Sequence, residues 1–539
     1  MKILTAAQMR EIDRRTVESC GVPSLLLMEN AGVAVVEFLE RKFPQLAKER
    51  ITILCGPGNN GGDGFVVARQ LLQRGVKPRT VLFGYPELLP GDAAANIRML
   101  VKVAGSPTVA KDAAAWKTLK QELASTTLFI DSIFGTGLSR PLEGFYGELV
   151  ADLRASFQSR DEIRWVAVDL PTGIPSDDGP LRGEFLRADY TVTFTAPKAA
   201  HIFPPACGHV GEWEVKTIGT PASLLETDET LFMNYTDAEA VRRVLTPRPL
   251  DAHKGTFGHV LLVAGSRGKT GAAALAAQAA QRAGAGLVTV AAPQSAASLI
   301  ASEAPEFMTA AMPETGQGTL SLKALEGDRF DKLVEGKTVL AVGPGLTTEP
   351  ETVEVVRRIV EKYNLPLVLD ADGLNAFAGT DDKLAAEGKT RVLTPHPGEM
   401  GRLCGVGSAE VQAGRVEVAR EFASKNRLHV VLKGFRTLTA APDGQVWVNG
   451  SGNPGMATGG AGDVLTGIVA GMMARYSGQP VTEVVAAAVY LHGAAGDTAA
   501  ESVGQEALIA SDILNHVPEA IRRIERMERV ERIAKPRPL

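Results

Sequence analysis

Cysteine is scarce in this chain: four occur in 539 residues, at positions 20, 55, 207 and 404, and no two form a C-x-x-C pair. They read as reduced thiols of a cytosolic protein. Aromatic residues make up only 5% and the net charge is −5, so both the stacking platforms and the basic footprint of a nucleic-acid binder are missing. No apolar run reaches transmembrane length, because the Ala-rich stretches near Ala272 and Ala486 are broken by Gln, Arg, Tyr or His. The first twenty residues carry charges throughout and have no apolar core, unlike a signal peptide. A soluble cytoplasmic protein with small-molecule substrates, no nucleic acid and no membrane is expected.

What is present is glycine, 56 of it, in a chain 45% hydrophobic and 22% charged, the composition of an Ala/Gly/Val-rich α/β enzyme. The length exceeds one core and two domains are expected. Ile51, Ile53 and Leu54 form a buried-strand run, followed by Gly56-Pro57-Gly58-Asn59-Asn60-Gly61-Gly62-Asp63-Gly64 and a helix with Val67, Ala68, Leu71 and Leu72 at helical spacing. A strand, a glycine-rich turn and a helix N-terminus suit phosphate. The turn satisfies G-x-G-x-x-G, but the next strand, Thr80 to Phe83, ends in Gly84-Tyr85-Pro86 without the ribose-binding carboxylate. An ordinary nicotinamide dehydrogenase is disfavoured.

Helices are expected over residues 5 to 43, with Thr5 as a cap. The second of them is apolar over most of its surface and is expected to pack on the sheet or on a partner subunit, as in a homo-oligomer. Further strands at 128–130, 165–168 and 190–194 alternate with helices, and the first two end in Asp131 and Asp169. In parallel sheets the carboxyl ends of strands form the ligand crevice, so both aspartates should face the glycine loop. Asn60, Asp131 and Thr172, with backbone carbonyls, offer hard oxygen donors for a monovalent cation; one carboxylate is too little charge for a calcium cage.

Between Thr220 and Lys254 strand signals thin out and prolines gather, which marks the boundary. Strands at 259–263, 287–290, 339–342, 367–369, 392–393 and 430–432 then alternate with Ala-rich helices. The segment after Val517 is charge-dense and reads as a solvated, frayed end. Gly265 to Thr270 resembles a Walker loop but has Val263 where its first glycine belongs. Asn453 to Gly467 holds five glycines and opens a helix with Asp463 in its first turn. Such an N-terminus can hold a transferring phosphate while the carboxylate takes a hydroxyl proton. Lys433-Gly434-Phe435-Arg436-Thr437 leaves a strand and offers two cations and a hydroxyl for nucleotide phosphates. His396, between two prolines after a strand, is either structural or a ligand contact.

GPGNNGGDG with the D-x-x-F-G loop from Asp131 and the D-x-P-T-G turn from Asp169 resembles the YjeF N-terminal domain, the NAD(P)H-hydrate epimerase. GGAGDVLTG with KGxxT, TPHPGEM and LDADGLN resembles the ribokinase-like NAD(P)H-hydrate dehydratase. Together they are similar to the bifunctional NAD(P)H-hydrate repair enzymes. The resemblance implies a Rossmann-like three-layer α/β domain over 1–225, a ribokinase-like α/β domain over 226–525 and a charged tail over 526–539. By the same likeness Asn59, Asn60, Gly61, Gly62 and Asp63, with Gly135, Thr136, Gly137, Leu138, Ser139, Arg140 and Pro141, would hold the hydrated dinucleotide. Asp169 would touch it as a catalytic residue that assists by proton transfer, and potassium would sit on Asn60, Asp131 and Thr172. Ala272, Gly345, His396 and the catalytic Asp463 would contact the S hydrate. Lys433, Gly434, Phe435, Arg436, Thr437 and Gly462 would hold the adenine nucleotide, with ADP as co-substrate alongside Mg2+. The competing readings are a ribokinase-type kinase of a vitamin precursor fused to a binding or dimerisation module, and a non-enzymatic scaffold. A stable phosphorylated product would mark the former; four polar groups in one crevice speak against the latter.

Overall fold

A computed structural model describes residues 1–138 and 140–534, and the side chains of 381, 382 and 527–534 are left aside. The chain divides into two compact units, Lys2–Leu231 and Phe232–Leu539, the latter joined by Met1.

The N-terminal unit is built on seven strands: β1 (Ile51–Cys55), β2 (Arg79–Leu82), β3 (Thr108–Val109), β4 (Leu128–Ser132), β5 (Arg164–Val168), β6 (Tyr190–Phe194) and β7 (Glu212–Lys216). Their order is β3-β2-β1-β4-β5-β6-β7, and every pair is parallel. Alternate residues point to opposite faces. Ile53 and Cys55 join the helices Ser24–Lys42, Asn59–Gln73 and Gly91–Ala104, whereas Leu54 joins Trp116, Leu149 and Leu153. Three layers result, as the Rossmann-like expectation requires. Thr5 caps the helix Ala6–Glu18 in a reciprocal box with Gln8.

Strand order reverses between β1 and β4, which opens a crevice at their carboxyl ends. The two loops there touch: Gly56 N–H donates to Ser132 O at 3.0 Å, and a Cβ on Gly56 would lie 1.9 Å from Ile133 O. Glycine is the residue that allows this approach.

The C-terminal unit carries ten strands: β8 (Met233–Thr236), β9 (His259–Val263), β10 (Leu287–Pro293), β11 (Met308–Met312), β12 (Val339–Val342), β13 (Leu367–Leu369), β14 (Arg391–Leu393), β15 (His429–Leu432), β16 (Leu438–Ala440) and β17 (Val446–Asn449). The order is β11-β10-β9-β12-β13-β14-β15-β16-β17-β8, parallel as far as β15, then antiparallel through β16 and β17. β8 lies in the stretch that reads as lacking strand signals; its sequence, Met-Asn-Tyr-Thr, is too short and polar to announce itself, yet it pairs in parallel with β17.

The Ala-rich helix Thr270–Arg282 packs against Ala461–Arg475 at very short range: a Cβ on Gly467 would lie 2.1 Å from Ala276 O, and one on Gly471 2.3 Å from Ala280 O. These small residues set the position of the helix whose first turn carries Asp463. The expectation of a frayed end after Val517 is corrected. Helix Ala510–Ala534 runs into it, because Val517, Ala520 and Ile524 form one apolar stripe buried in the core while Arg522 and Arg523 are exposed; residues 535–539 lie outside the described residues.

Candidate functional site

In the N-terminal unit a cavity of about 630 Å³ opens at the carboxyl ends of β1 and β4. Asn59, Asn60, Asp63, Gly135, Thr136, Gly137, Leu138 and Asp169 line it, as the sequence reading expects. Gly61 and Gly62 do not; they sit beneath the turn, where a Cβ would meet Gly56 O at 2.0 Å and Met28 Sδ at 2.6 Å. Arg140 and Pro141 line a neighbouring hollow with Gly173, Pro175, Pro180 and Arg182, and Ser139 lies outside the described residues.

Asp169 follows β5 with a backbone φ of 68°, a left-handed conformation that costs a non-glycine residue energy and that surrounding bonds must hold. Its N–H donates to Val192 O and His201 Nε2 donates to its carbonyl at 3.0 Å. Its carboxylate accepts from Lys198 Nζ at 2.7 Å, Thr193 Oγ1 at 3.0 Å, and the Thr136 N–H at 2.9 Å and hydroxyl. Burial would push this carboxyl up, but the Lys198 ammonium and the Thr136 donors outweigh it and hold Asp169 well below the usual carboxylate range. Such a carboxylate suits charge stabilisation better than the proton transfer expected of it, since its lone pairs are taken. His201, pushed down to about 4 by burial and the nearby Lys198 charge, stays neutral, with Nδ1 accepting from the Lys198 N–H.

Two neighbours behave oppositely. Burial pushes Asp13 up to about 6 against the pull of Lys198. Asp63 rises well above the usual range through burial and the charges of Asp169 and Asp13. Lys198 and Asp13 are absent from the sequence reading. Lys198 carried a readable signal, a lysine four residues beyond the end of β6; Asp13, on a helix far upstream, carried none.

Below the cavity Asp131 and Thr172 bind one another. Asp131 accepts from Thr172 Oγ1 at 2.6 Å, Thr172 N–H at 2.8 Å and Ile133 N–H at 3.2 Å. Burial raises its carboxyl to about 6, and among the described residues it has no ion pair. Asn60 approaches from the first loop, where a Cβ on Gly135 would lie 2.9 Å from Asn60 Oδ1 and 3.0 Å from Asp169 Oδ2. Among the described residues no group of three or more His, Cys, Asp and Glu is placed to hold a metal.

The C-terminal unit repeats the arrangement at its own reversal point, between β9 and β12. Gly265 N–H donates to Pro344 O at 2.8 Å and Ser266 Oγ to Gly345 O at 2.7 Å. Gly345 lies against Lys269 and Ala272, and Lys269 Nζ pairs with Asp372 at 3.3 Å. Asp370, after β13, accepts from Lys433 Nζ at 2.8 Å and Thr466 Oγ1 at 2.6 Å. Lys433 also lies 3.7 Å from Glu399, and a Cβ on Gly462 would be 3.5 Å from its Nζ. Asp463 joins the group electrostatically: burial and the Asp370 charge push it up to about 6, with Lys433 opposing. Burial lowers Lys433, but Asp370 and Glu399 prevail and its ammonium is held above the usual lysine range.

His396 serves as the cap of helix Pro397–Cys404, its Nδ1 accepting from Gly398 N–H at 3.0 Å while its own N–H donates to Glu399 Oε2. The Gly434 to Thr437 loop is shaped by Arg415, which donates to the Leu432, Lys433 and Phe435 carbonyls. Phe435 is left 52% exposed beneath the Arg436 guanidinium. Thr437 Oγ1 donates to Gly434 O. Asp370, Glu399, Thr466 and Arg415 are not among the expected site residues, although the first three lie inside the motifs LDADGLN, TPHPGEM and GGAGDVLTG.

Comparison with known proteins assigns both halves. Residues 260–519 match the family model described as NAD(P)H-hydrate dehydratase, and residues 24–200 match that of the YjeF-related protein N-terminus. A bifunctional NAD(P)H-hydrate repair enzyme of Moorella thermoacetica is 43% identical over 97% of this chain and 97% of its own length. One from Thermofilum pendens is 39% identical over the same shares. A solved ADP/ATP-dependent NAD(P)H-hydrate dehydratase of Bacillus subtilis, co-crystallised with ATP and Mg2+, is 31% identical over 54% of this chain and 99% of its own, with a TM-score of 0.46.

Proposed function

Since the chain belongs to the family of bifunctional NAD(P)H-hydrate repair enzymes, we propose that its N-terminal unit interconverts the R and S forms of hydrated NADH and NADPH. Its C-terminal unit then dehydrates the S form, with ADP split to AMP and phosphate. The observation that carries the reading is the Asp463 carboxyl, poised at about 6 in the first turn of a helix beside the half-buried Lys433, whose ammonium is paired with Asp370.

The hydrated ring carries a hydroxyl on C6, next to nitrogen, and hydroxide leaves poorly. Asp463, ionised at neutral pH, takes the hydroxyl proton as the oxygen attacks the terminal phosphorus of ADP and the bond to AMP breaks. Lys433, the backbone N–H groups of Gly462 and its neighbours, and the loop to Thr437 balance the phosphate charge. Magnesium, when bound, would neutralise the diphosphate. The ring nitrogen's electron pair then expels phosphate from C6, and loss of a C5 proton restores the dihydropyridine. Ala272, Gly345 and His396 would border the hydrate.

In the N-terminal unit Asn59, Asn60 and Asp63, with Gly135 to Leu138, would hold the hydrate, with Asp169 against its ring. Asn60, Asp131 and Thr172 would hold potassium, and the donor set fits: a buried carboxylate with no ion pair among the described residues, a hydroxyl and an amide oxygen. Leu25 and Leu26, exposed at the start of helix Ser24–Lys42, support a homo-oligomer. Among the described residues the four cysteines form no disulfide, which fits a reducing cytoplasm.

The test is recovery of reduced nicotinamide absorbance from a mixture of R and S hydrates with ADP, then ATP, in magnesium and potassium. Full recovery with ADP, falling to the S fraction in Asp131→Ala, is expected. No recovery with either nucleotide, or a stable phosphorylated product, would overturn the reading.

A further inference from the structure

Four carboxylates, those of Asp13, Asp63, Asp92 and Asp169, line the N-terminal cavity, and their surroundings divide them. Asp169 is saturated by Lys198, Thr193 and Thr136. Asp13, on helix Ala6–Glu18, lines the same cavity, yet its Oδ1 is buried with no hydrogen-bond partner. A buried polar oxygen left unmatched costs free energy unless a ligand satisfies it. The charged groups around it offer no relief. Arg14 is committed to Glu11 and Glu18, Lys198 is committed to Asp169, Asp63 and Asp92 bring no positive charge, and Arg10 is joined to it by no ion pair among the described residues.

We propose that Asp13 is a further catalytic residue of the epimerase site, the general acid that protonates the C6 hydroxyl of the hydrated nicotinamide while Asp169 stays ionised beneath the ring. The proposal rests on the reading of this cavity given above. A proton passes from the Asp13 carboxyl to the C6 hydroxyl, the C6–O bond breaks and water leaves, and the nitrogen lone pair closes a C6=N1 double bond. The Asp169 carboxylate is the counter-charge to that cation. Water then adds to C6 from the opposite face, the double-bond electrons return to nitrogen, and the surplus proton leaves to solvent, from which Asp13 is reprotonated. No atom is gained or lost and nothing is oxidised. The division of labour has the form expected when neighbouring carboxyls are driven apart: burial lifts Asp13 and Asp63, whereas Lys198 holds Asp169 down.

The full-length protein tests this in one trace. With ADP, magnesium and potassium, a mixture of epimers yields a fast phase from the S form and a slow phase from R, the latter set by epimerisation. Asp13→Asn is expected to leave the fast phase intact and to slow the second by at least about 100-fold, or to the enzyme-free rate if that is reached first. Asp13→Glu should restore much of it. The slow phase of the native protein should decline as pH rises through the Asp13 titration, and Asp13→Asn should lack that limb. A slow phase within threefold of native in Asp13→Asn, or equal losses in Asp13→Glu and Asp13→Asn with the pH limb retained, overturns the assignment. A native protein whose slow phase never exceeds the enzyme-free rate sinks the reading of the cavity, and the proposal with it.

Discussion

Replacing Lys198 by Met isolates the ion pair on which the N-terminal site stands. Lys198 is 1% exposed, and its ammonium reaches Asp169 Oδ1 at 2.7 Å, Thr193 Oγ1 at 2.8 Å and Phe194 O at 3.2 Å. Methionine keeps most of the apolar stem and removes the charge, so the loss is electrostatic rather than a cavity. Asp169 is then a buried carboxylate facing only the Thr136 and Thr193 donors. Removing one partner of a buried pair costs about 3–5 kcal/mol. The pH dependence has a definite sign. Because the folded-state pKa of Asp169 is depressed, its stabilisation is present above the unfolded carboxylate value of about 4 and is lost as pH falls through the folded value. The variant loses that contribution, so its deficit is largest at neutral pH and shrinks in acid, where Asp169 protonates. Tryptophan fluorescence during urea unfolding reads the correct unit, since Trp116, Trp165 and Trp213 lie in it and only Trp447 lies outside. Asp169→Asn should rescue the variant, because an amide needs no counter-charge. A loss under about 1 kcal/mol, below the range for a broken buried pair, would refute the coupling. So would a double variant whose loss equals the sum of the single losses.

Asp463→Asn should reduce dehydration by about 100-fold or more while epimerisation, followed by proton exchange spectroscopy of the hydrates, persists. As a base lifted to about 6, Asp463 should make the native rate rise with pH to a plateau above that value, and the variant should show no such limb. Gly467→Ala places a methyl 2.1 Å from Ala276 O, so the two helices must separate. A loss of about 1–3 kcal/mol in the C-terminal unit is expected by calorimetry, with weakened dehydration because Asp463 moves with its helix. An unchanged melting transition would show that the close approach is not required.

Both crevices were visible in the sequence for one reason: in a parallel sheet functional residues gather at the carboxyl ends of strands, and buried strands are easy to see. Asp131 lies at the end of β4 and Asp169 follows β5 directly. What escaped was everything whose place depends on register or on a distant helix. Lys198 finds Asp169 only because Val168 lies opposite Val192 across β5 and β6, so the loops that follow converge. Asp13 reaches the cavity from a helix that precedes the whole sheet. The last helix was hidden by reading charge density in place of period: Val517, Ala520 and Ile524 are the pattern, and the charges between them are its solvent face.

The glycine-rich turn shows how a correct motif can carry more than one cause. Read as sequence, GPGNNGGDG suits phosphate through open backbone N–H groups, with Asn59, Asn60 and Asp63 adding side-chain oxygens that a simple cradle does not need. In the structure Gly58 has open space, as that reading needs, but Gly56 and Gly61 do not. A Cβ on Gly61 would strike Gly56 O at 2.0 Å, and one on Gly56 would strike Ile133 O. These two glycines let the turn fold upon itself and upon the loop after β4, and so fix where Asn59 and Asn60 begin the helix. The side chains between the glycines, rather than the bare backbone alone, are therefore what the turn presents to a ligand. The same close packing holds Asn60 beside Gly135 and Asp169. A carbonyl-to-methyl clash at Gly56 or Gly61 would accordingly displace the oxygen donors before it disturbed the sheet.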